Sequence, residues 1–253
     1  MKALILNSGT GSRMGVLTAE QPKCMTEVAP HETILSRQLH QIANAGIEEV
    51  VMTTGKFDTV LMDYCHSLDL PLHITFVKND LFDQTNYIYS ICCAQQWLDD
   101  DILLMHGDLV FENTVLDMVL DSPASCMAVS STLPLPDKDF KAVVSDGCIR
   151  KVGIEFVDNA LAAQPLYKLL RRDWKVWLDS IVRYCEAGQV KCYAENALNE
   201  VSQHCRILPL DVADRLCAEI DCPADLATVS ARLKDVANRT VYMCFSSDIL
   251  HSG

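Results

Sequence analysis

A glycine-rich segment with two nearby basic residues is the first part of the sequence whose residue types could do chemistry. Residues 7–15 read Asn-Ser-Gly-Thr-Gly-Ser-Arg-Met-Gly and directly follow an apolar run. Glycines allow backbone N–H groups to close around phosphate oxygens. Arg13 in this loop and Lys23 behind the rigid Pro22 would add two fixed cations, which can neutralise the charge on a leaving pyrophosphate. The combination indicates a triphosphate site.

The spacing of the glycines narrows the kind of phosphate site. It is G-x-G-x-x-x-G, which differs from the G-x-G-x-x-G of dinucleotide-binding folds, and no G-K-[ST] of a P-loop follows. Hydride transfer and ATPase chemistry therefore lose their main support. Taken alone, the glycines also fit an ordinary tight connection between a strand and a helix. The phosphate interpretation depends on their combination with Arg13 and Lys23.

Acidic residues in two later segments form a second group with a chemical pattern. Gly107-Asp108 ends an apolar run, where a carboxylate would stand at the edge of a parallel sheet. In Glu219-Ile220-Asp221 the two carboxylates fall on one side of an extended segment, because side chains alternate with period two. Mg²⁺ prefers oxygen ligands. We therefore expect Asp108, Glu219 and Asp221 to hold Mg²⁺, with Asp108 also acting in catalysis.

The elements that must position these residues are short β-rich runs alternating with helical patterns. The runs cover 3–6, 49–53, 73–77, 102–105 and 126–130, and the helical patterns cover 33–45, 57–67, 87–97 and 113–121. This alternation is typical of βαβ units, whose ligands gather at the carboxyl ends of the strands. The sequence predicts an α/β, Rossmann-like fold with a mostly parallel mixed sheet flanked by helices.

The pattern changes after Thr132. A Leu-Pro-Leu-Pro segment is followed by a Ser-Asp-Gly turn between two short β-like runs, and then by amphipathic helices at 173–187 and 224–237. We predict a small antiparallel and helical insert. It would cover the side of the ligand-binding cleft where a second substrate, the acceptor of the transferred group, binds. Residues 1–237 would form one domain, since a chain of this length can bury a sizeable core in a single α/β unit.

Charge and composition exclude several classes of protein. The formal net charge of −13 would repel nucleic-acid backbones and anionic membranes at long range. No apolar stretch approaches the roughly 18 residues of a membrane span, and the N-terminus is too polar for a signal segment. The twelve cysteines include no C-x-x-C pair, which indicates reduced thiols. We expect a cytoplasmic protein without nucleic-acid or membrane partners.

The opening residues resemble those of the GT-A-like nucleotidyltransferases. The family pattern is approximately L-x-x-G-x-G-[ST]-R-[ML]-x-x-x-T-x-x-x-P-K, and this sequence matches it from Leu6 through Thr18 to Pro22-Lys23. Residues 34–39 and 45–47 also resemble the helix that follows in that family. The resemblance implies catalytic roles for Arg13 and Lys23. It also implies that the nucleotide is bound by Leu6, Asn7, Ser8, Gly9, Gly11, Lys23 and Gly107.

A second segment indicates the branch of the family. Residues 78–80 and 85–91 resemble the N-N-I-Y-S-L segment of choline-phosphate and 2-aminoethylphosphonate cytidylyltransferases. By this resemblance Thr85, Asn86 and Ser90 belong to the nucleotide site. The alternative is an ordinary N-cap followed by an amphipathic helix, since Thr and Asn are good caps. Weaker likenesses assign Lys141, Lys168, Tyr193 and Glu195 to the acceptor.

The resemblance implies in-line attack of an acceptor oxygen on the α-phosphorus of CTP, with loss of pyrophosphate. We expect 2-aminoethylphosphonate as acceptor, because aromatic residues make up only 7% of the chain and a quaternary ammonium is normally held by an aromatic cage. Trp174 and Trp177, three apart on a helix, are expected to pack inward. The alternatives are phosphocholine cytidylyltransferase, sugar-1-phosphate nucleotidyltransferase and a non-catalytic nucleotide-binding module.

The last residues, 238–253, show a different pattern from the predicted domain. They begin a new apolar run and resemble the start of an H-x-G-H module. We expect them to be a linker and the beginning of a further domain in a longer protein.

Overall fold

The computed structural model describes residues 1–238 of the chain. The strands in that range are β1 (Lys2–Leu6), β2 (Glu27–Ala29), β3 (Glu32–Thr33), β4 (Glu49–Thr54), β5 (His73–Lys78), β6 (Ile102–His106), β7 (Leu109–Phe111), β8 (Cys126–Ser130), β9 (Lys141–Ser145), β10 (Cys148–Gly153), β11 (Ala160–Leu169), β12 (Leu208–Asp211) and β13 (Cys217–Glu219). The helices are α1 (Ile34–Asn44), α2 (Asp58–Ser67), α3 (Tyr87–Ala94), α4 (Asn113–Asp121), α5 (Arg171–Glu186), α6 (Ala194–Val201) and α7 (Pro223–Ala237). Within residues 1–238, the helices are too short or too polar to traverse a lipid bilayer. The predicted linker and further module at 238–253 lie outside the described residues, apart from Asn238.

A nine-stranded mixed sheet forms the centre of the molecule. Its main path is β10-β9-β11-β6-β1-β4-β5, and β8 pairs with β11 and β12 off this path. The four strands β6, β1, β4 and β5 run parallel, whereas β11 runs antiparallel to β6. The predicted α/β fold with a mostly parallel central sheet flanked by helices is confirmed.

The core lies on both faces of this sheet, as the alternation of β1 illustrates. Leu4 and Leu6 pack with residues of α3, α5 and α6, whereas Ala3 and Ile5 pack with residues of α1, α2 and α4. A strand covered on both faces reads as a continuous apolar run, because neither set of side chains meets water. The core therefore fixes the position of the residue that follows Leu6, where the glycine-rich loop begins.

The predicted antiparallel insert consists of the hairpin β9–β10 together with part of β11. Asp146 and Gly147 form its turn with φ values of 53° and 68°, as a two-residue type I′ turn requires. Neither the full length of β11 nor α6 was predicted. Pro165 interrupts the sequence pattern of β11, and the register with β8 shifts around it. The N-cap of α6 is Tyr193, which is not among the residue types that favour this position.

Candidate active site

Most of the predicted site residues line a cleft at the carboxyl ends of β1 and β6. Two adjoining cavities of about 310 and 280 Å³ form this cleft. The residues that line both are Leu6, Gly9, Arg13, Asp108 and Asp221. The shared lining makes them two parts of one site, which lies where open α/β sheets generally bind ligands.

Two glycines allow the backbone segments that form the walls of the cleft to lie close together. Gly11 has a φ of 64°, and the hydroxyl of Thr18 donates to its carbonyl oxygen at 2.9 Å, which ties the loop back on itself. At Gly107, a Cβ atom would lie 1.7 Å from Oδ1 of Asn7. Only glycine therefore allows the end of β1 to lie against the turn that carries Asp108.

Lys23 brings the basic and acidic residues of the cleft together. Its Nζ atom contacts the carboxylate of Asp108 and lies 2.8 Å from Oδ1 of Asp221. Arg13, which is more exposed, places Nη2 2.8 Å from the same oxygen. Burial acts to lower the pKa of Lys23, but the charges and hydrogen bonds of the two carboxylates outweigh it and raise the pKa. The cleft thus holds a fixed ammonium group among carboxylates.

Three side chains in the cleft could hold a divalent cation. His106, Asp108 and Glu219 each offer one ligand atom, and these atoms lie within 4.8 Å of one another. Nδ1 of His106 is 2.9 Å from Oε1 of Glu219, and its buried Nε2 has no protein partner among the described residues. The carboxylates favour positive charge on neighbouring groups, so this set fits a divalent cation.

Burial and the charges of neighbouring groups together shift the pKa values of His106 and Glu219. Burial and the charge of Asp108 raise the pKa of Glu219 to about 7, against the effect of His106. Burial would lower the pKa of His106, but the hydrogen bond and charge of Glu219 raise it to about 9. His106 was not singled out from the sequence, although it is the last residue of the strand that leads into Gly107-Asp108.

The predicted metal ligand Asp221 lies beside this group and not within it. It reaches the same cleft, since Glu219 and Asp221 both line the larger cavity while Ile220 between them is fully buried. Its carboxylate is occupied by Lys23 and Arg13. The structure therefore brings together all three predicted carboxylates and adds a histidine.

A buried polar network supports the nucleotide side of the cleft. Oγ of Ser8 lies 2.6 Å from Oγ of Ser90, and Nδ2 of Asn79 donates to Ser90 and to Oγ1 of Thr85 at 3.0 Å each. Asn86 is the N-cap of α3, and its side chain accepts a hydrogen bond from the backbone N–H of Tyr87 at 2.7 Å. Asn79, a polar residue directly after β5, was not assigned a role from the sequence.

The predicted nucleotide-binding residues fall into two groups. Those that line the cleft are Leu6, Asn7, Ser8, Gly9, Gly11, Lys23, Thr85, Asn86 and Gly107. Ser90 is 1% exposed and lies behind Ser8, so that it supports the wall without facing the cavity. The cap geometry of Asn86 agrees with the ordinary N-cap alternative as well.

Aromatic rings form one end of the larger cavity, which we call the aromatic corner and define as Tyr87, His106, Phe140 and Tyr193. The ring centroids of Phe140 and Tyr193 are 5.0 Å apart, and those of Tyr87 and His106 are 4.8 Å apart. The low aromatic content of the sequence gave no indication of this cluster. Trp174 and Trp177 are buried in the core, as expected.

Glu195 does not face the cleft, contrary to its assignment to the acceptor. It is 1% exposed and accepts hydrogen bonds from the hydroxyl groups of Tyr87 and Tyr167, the latter at 2.9 Å. Burial and the charge of Glu195 hold the pKa of both tyrosines well above the usual value. Tyr193, by contrast, lines the larger cavity.

The two lysines assigned to the acceptor also have other partners. Lys168 donates to the carbonyl oxygens of Leu120 and Ser122 at 2.6 Å each, where it caps the C-terminus of α4 away from the cleft. Lys141 is 3% exposed and donates to the carbonyl oxygen of Ile154 at 2.5 Å. Short-range sequence likeness could not show these backbone partners, because they lie 13 to 48 positions away in the chain.

Comparison with known proteins agrees with this fold. CMP-5'-(3-aminopropyl)phosphonate synthase of Streptomyces rubellomurinus is 33% identical over 53% of this chain and 21% of that protein. CTP:phosphoglutamine cytidylyltransferase of Campylobacter jejuni is 31% identical over 44% of this chain and 45% of that protein. The chain therefore matches less than half the length of these two relatives. The solved structure of CTP:phosphocholine cytidylyltransferase from Streptococcus pneumoniae shares the fold, with a TM-score of 0.73 and 17% identity over 92% of this chain and 98% of that one.

The family model of the MobA-like NTP transferase domain matches residues 3–176. This match covers the glycine-rich loop, Lys23, the turn with Asp108 and the central parallel strands. The chain belongs to this family of nucleotidyltransferases.

Proposed function

We propose that the chain transfers CMP from CTP to an oxygen of a small phosphonate or phosphate monoester and releases pyrophosphate. The observation that carries this proposal is the arrangement in one cleft of the glycine-rich loop, Lys23 and the carboxylates of Asp108 and Asp221. Such an arrangement suits phosphoryl chemistry, which needs positioning and charge neutralisation more than a covalent nucleophile.

Each group in the cleft has a defined part in this chemistry. Lys23 and Arg13 neutralise the α-phosphate and the leaving pyrophosphate, while backbone N–H groups of the loop hold the remaining phosphates. We assign Mg²⁺ to Asp108, Glu219 and Asp221, because the ion prefers oxygen ligands; Asp221 would join the other two when Lys23 and Arg13 turn from it to the phosphates. When bound, the ion supplies a Lewis acid for phosphate oxygens. His106 orients the carboxylate of Glu219 through its Nδ1 atom.

The proposed acceptor class does not require a general base. A phosphonate or phosphate monoester is already largely ionised at neutral pH, so its oxygen can attack without losing a proton to the protein. Thr85 and Asn86, at the start of α3, line the cavity on the side where we place the base and ribose. The names of both relatives, one a phosphonate synthase and the other a cytidylyltransferase, support CTP with a small acceptor.

We propose 2-aminoethylphosphonate as the acceptor, in line with the relative that is named for a phosphonate product. Phosphocholine is the second candidate, because the aromatic corner provides ring faces that suit a quaternary ammonium group. The low aromatic content of the sequence therefore does not decide between 2-aminoethylphosphonate and phosphocholine.

A matrix of four nucleotides and two acceptors tests the proposal. Pyrophosphate release is measured with CTP, UTP, GTP or ATP, each with 2-aminoethylphosphonate or phosphocholine in the presence of Mg²⁺. We expect CTP with 2-aminoethylphosphonate to give the highest kcat/KM. A kcat/KM for phosphocholine equal to or above it would overturn the acceptor assignment, and preference for another nucleotide would overturn the cytidylyl assignment. The Lys23→Ala variant serves as the control for contaminating activity.

A further inference from the structure

Gln38 of α1 contacts both ends of the turn that carries Asp108. Its side chain is 1% exposed, and its Nε2 atom donates to the carbonyl oxygen of His106 at 2.9 Å and to that of Leu109 at 2.8 Å. The two residues between these carbonyls are Gly107 and Asp108. The primary amide of glutamine has two N–H hydrogens, so one neutral group can serve both carbonyls.

This turn needs an external support because the strand before it and the strand after it belong to different sheets. β6 belongs to the main sheet, whereas β7 pairs with β13 in a separate two-stranded sheet. Leu109 lies opposite Glu219 in that second sheet, and the N–H of Ile220 donates to the carbonyl oxygen of Asp108 at 3.0 Å. A shift of the turn would therefore move Asp108 and also the segment that carries Glu219.

Gln41 is a matched comparison on the same helix. It is 7% exposed, and its Nε2 atom donates to the carbonyl oxygen of Phe111 at 3.0 Å and to Oδ1 of Asn113 at 2.8 Å. Like Gln38, it has a buried Oε1 atom with no protein partner among the described residues. The two glutamines thus share type, helix, burial and number of hydrogen bonds. They differ in the end of β7 that they contact: Gln38 contacts Leu109 at its start, and Gln41 contacts Phe111 at its end.

We propose that Gln38 is a positioning residue, which fixes the turn at Gly107-Asp108 so that the carboxylates of Asp108 and Glu219 stay at the spacing that a divalent cation requires. The proposal rests on the proposed function only for its effect on the reaction rate. Residues that orient metal ligands through hydrogen bonds typically change metal affinity by about 10- to 100-fold when they are removed.

The test compares Gln38→Met with Gln41→Met, using Mn²⁺ as the probe. Binding of Mn²⁺ without nucleotide is measured by the electron paramagnetic resonance signal of the free ion, and the Asp108→Asn variant defines binding outside the cleft. We expect both methionine variants to lower the melting temperature by similar amounts. Gln38→Met should raise the Kd for Mn²⁺ at the cleft about tenfold or more, whereas Gln41→Met should change it less than about twofold.

Equal values of Kd for the two methionine variants would overturn the proposal, as would an unchanged Kd in Gln38→Met. Gln38→Asn is the second variant, because it keeps an amide but falls one methylene short of the two carbonyls; it should shift Kd in the same direction. In steady-state assays, Gln38→Met should lower kcat with little change in the KM for CTP. Failure of the wild-type protein to turn over CTP would remove the proposed function, but the Mn²⁺ comparison would still decide the role of Gln38.

Discussion

Lys23 is a positively charged side chain that is largely buried and lies between two carboxylates of the cleft. Its ammonium group contacts Asp108 and also Asp221, which is 198 positions away in the chain. The carboxylates keep the lysine charged despite its burial, and they also define a region that favours a metal ion. A bound triphosphate would give the ammonium new anionic partners. We therefore regard the ion pairs with the two carboxylates as the arrangement from which Lys23 reaches the phosphates.

Replacing Lys23 by alanine should lower kcat by about 100- to 1,000-fold, the usual effect of removing one group that stabilises transition-state charge. The matched control is Lys168→Ala, because Lys168 binds backbone carbonyls at the end of α4. That variant should lower the melting temperature and leave kcat/KM unchanged. Steady-state pyrophosphate release and thermal unfolding measure both effects. Unchanged turnover in Lys23→Ala would remove this lysine from the chemistry.

Replacing Asp221 by asparagine should affect turnover far more than stability. Its carboxylate lies at the cleft surface with a side-chain exposure of 22%, so it contributes little to the core. We expect kcat to fall by about two orders of magnitude or more. The melting temperature should change by less than about 4 °C, which corresponds to about 1 kcal/mol in a domain of this size. A parallel loss of activity and melting temperature would make Asp221 a structural residue.

At the level of elements, α3, α6 and β11 meet at the buried carboxylate of Glu195. Glu195 lies in α6. Tyr87, the first residue of α3, and Tyr167 of β11 both donate a hydrogen bond to its carboxylate. A buried charge without such partners would be strongly unfavourable. Tyr87 also packs edge-on against His106 in the aromatic corner. The junction therefore connects the core with the aromatic corner of the cleft.

The variants Tyr87→Phe and Tyr167→Phe separate these two functions of the junction. Each removes one hydrogen bond to Glu195 and should cost about 1–3 kcal/mol of unfolding free energy. Only Tyr87→Phe should also raise the KM for the acceptor, because Tyr87 lines the cleft and Tyr167 is fully buried. Chemical denaturation and acceptor titration at saturating CTP measure the two quantities. An equal rise in KM in both variants would contradict a separate role for Tyr87.

On the scale of the whole molecule, an acidic protein must bind an anionic nucleotide. The formal net charge is −13, and the cleft itself contains four carboxylates beside three basic residues, namely Asp108, Asp139, Glu219 and Asp221 beside Arg13, Lys23 and Lys138. Long-range electrostatics therefore oppose the approach of a triphosphate. A divalent cation would reverse the local sign of the charge. We infer that nucleotide binding by this chain depends strongly on the metal ion.

Thermal unfolding with ligands tests this dependence. In the presence of Mg²⁺, CTP at about 100 times its Kd should stabilise the folded state by about 2.7 kcal/mol. With EDTA in place of Mg²⁺, the same CTP concentration should give a clearly smaller rise in melting temperature. Asp108→Asn is the control and should respond to CTP equally with and without the metal. Equal stabilisation of the wild-type protein in both buffers would contradict metal-dependent binding.

The sequence by itself determined the central elements and predicted most of the residues that line the cleft. Strands such as β1 and β6 are covered on both faces, so their apolar runs are unambiguous, and the loop that follows β1 keeps its glycines adjacent in the chain. Asp108 and the pair Glu219 and Asp221 were found because their position at strand ends follows from strand geometry. These features depend on local sequence, and local sequence is sufficient to identify them.

Only the tertiary structure decided how distant side chains are paired. Glu195 and Lys168 lie in segments that resemble the acceptor site, yet the fold turns one toward two buried tyrosines and the other toward the end of α4. The aromatic corner collects Tyr87, Phe140 and Tyr193 from three separate segments, and the hydrogen bonds of Gln38 reach residues 68 and 71 positions away. A side chain's partner depends on which elements pack together, and residue type and spacing along the chain do not specify that packing.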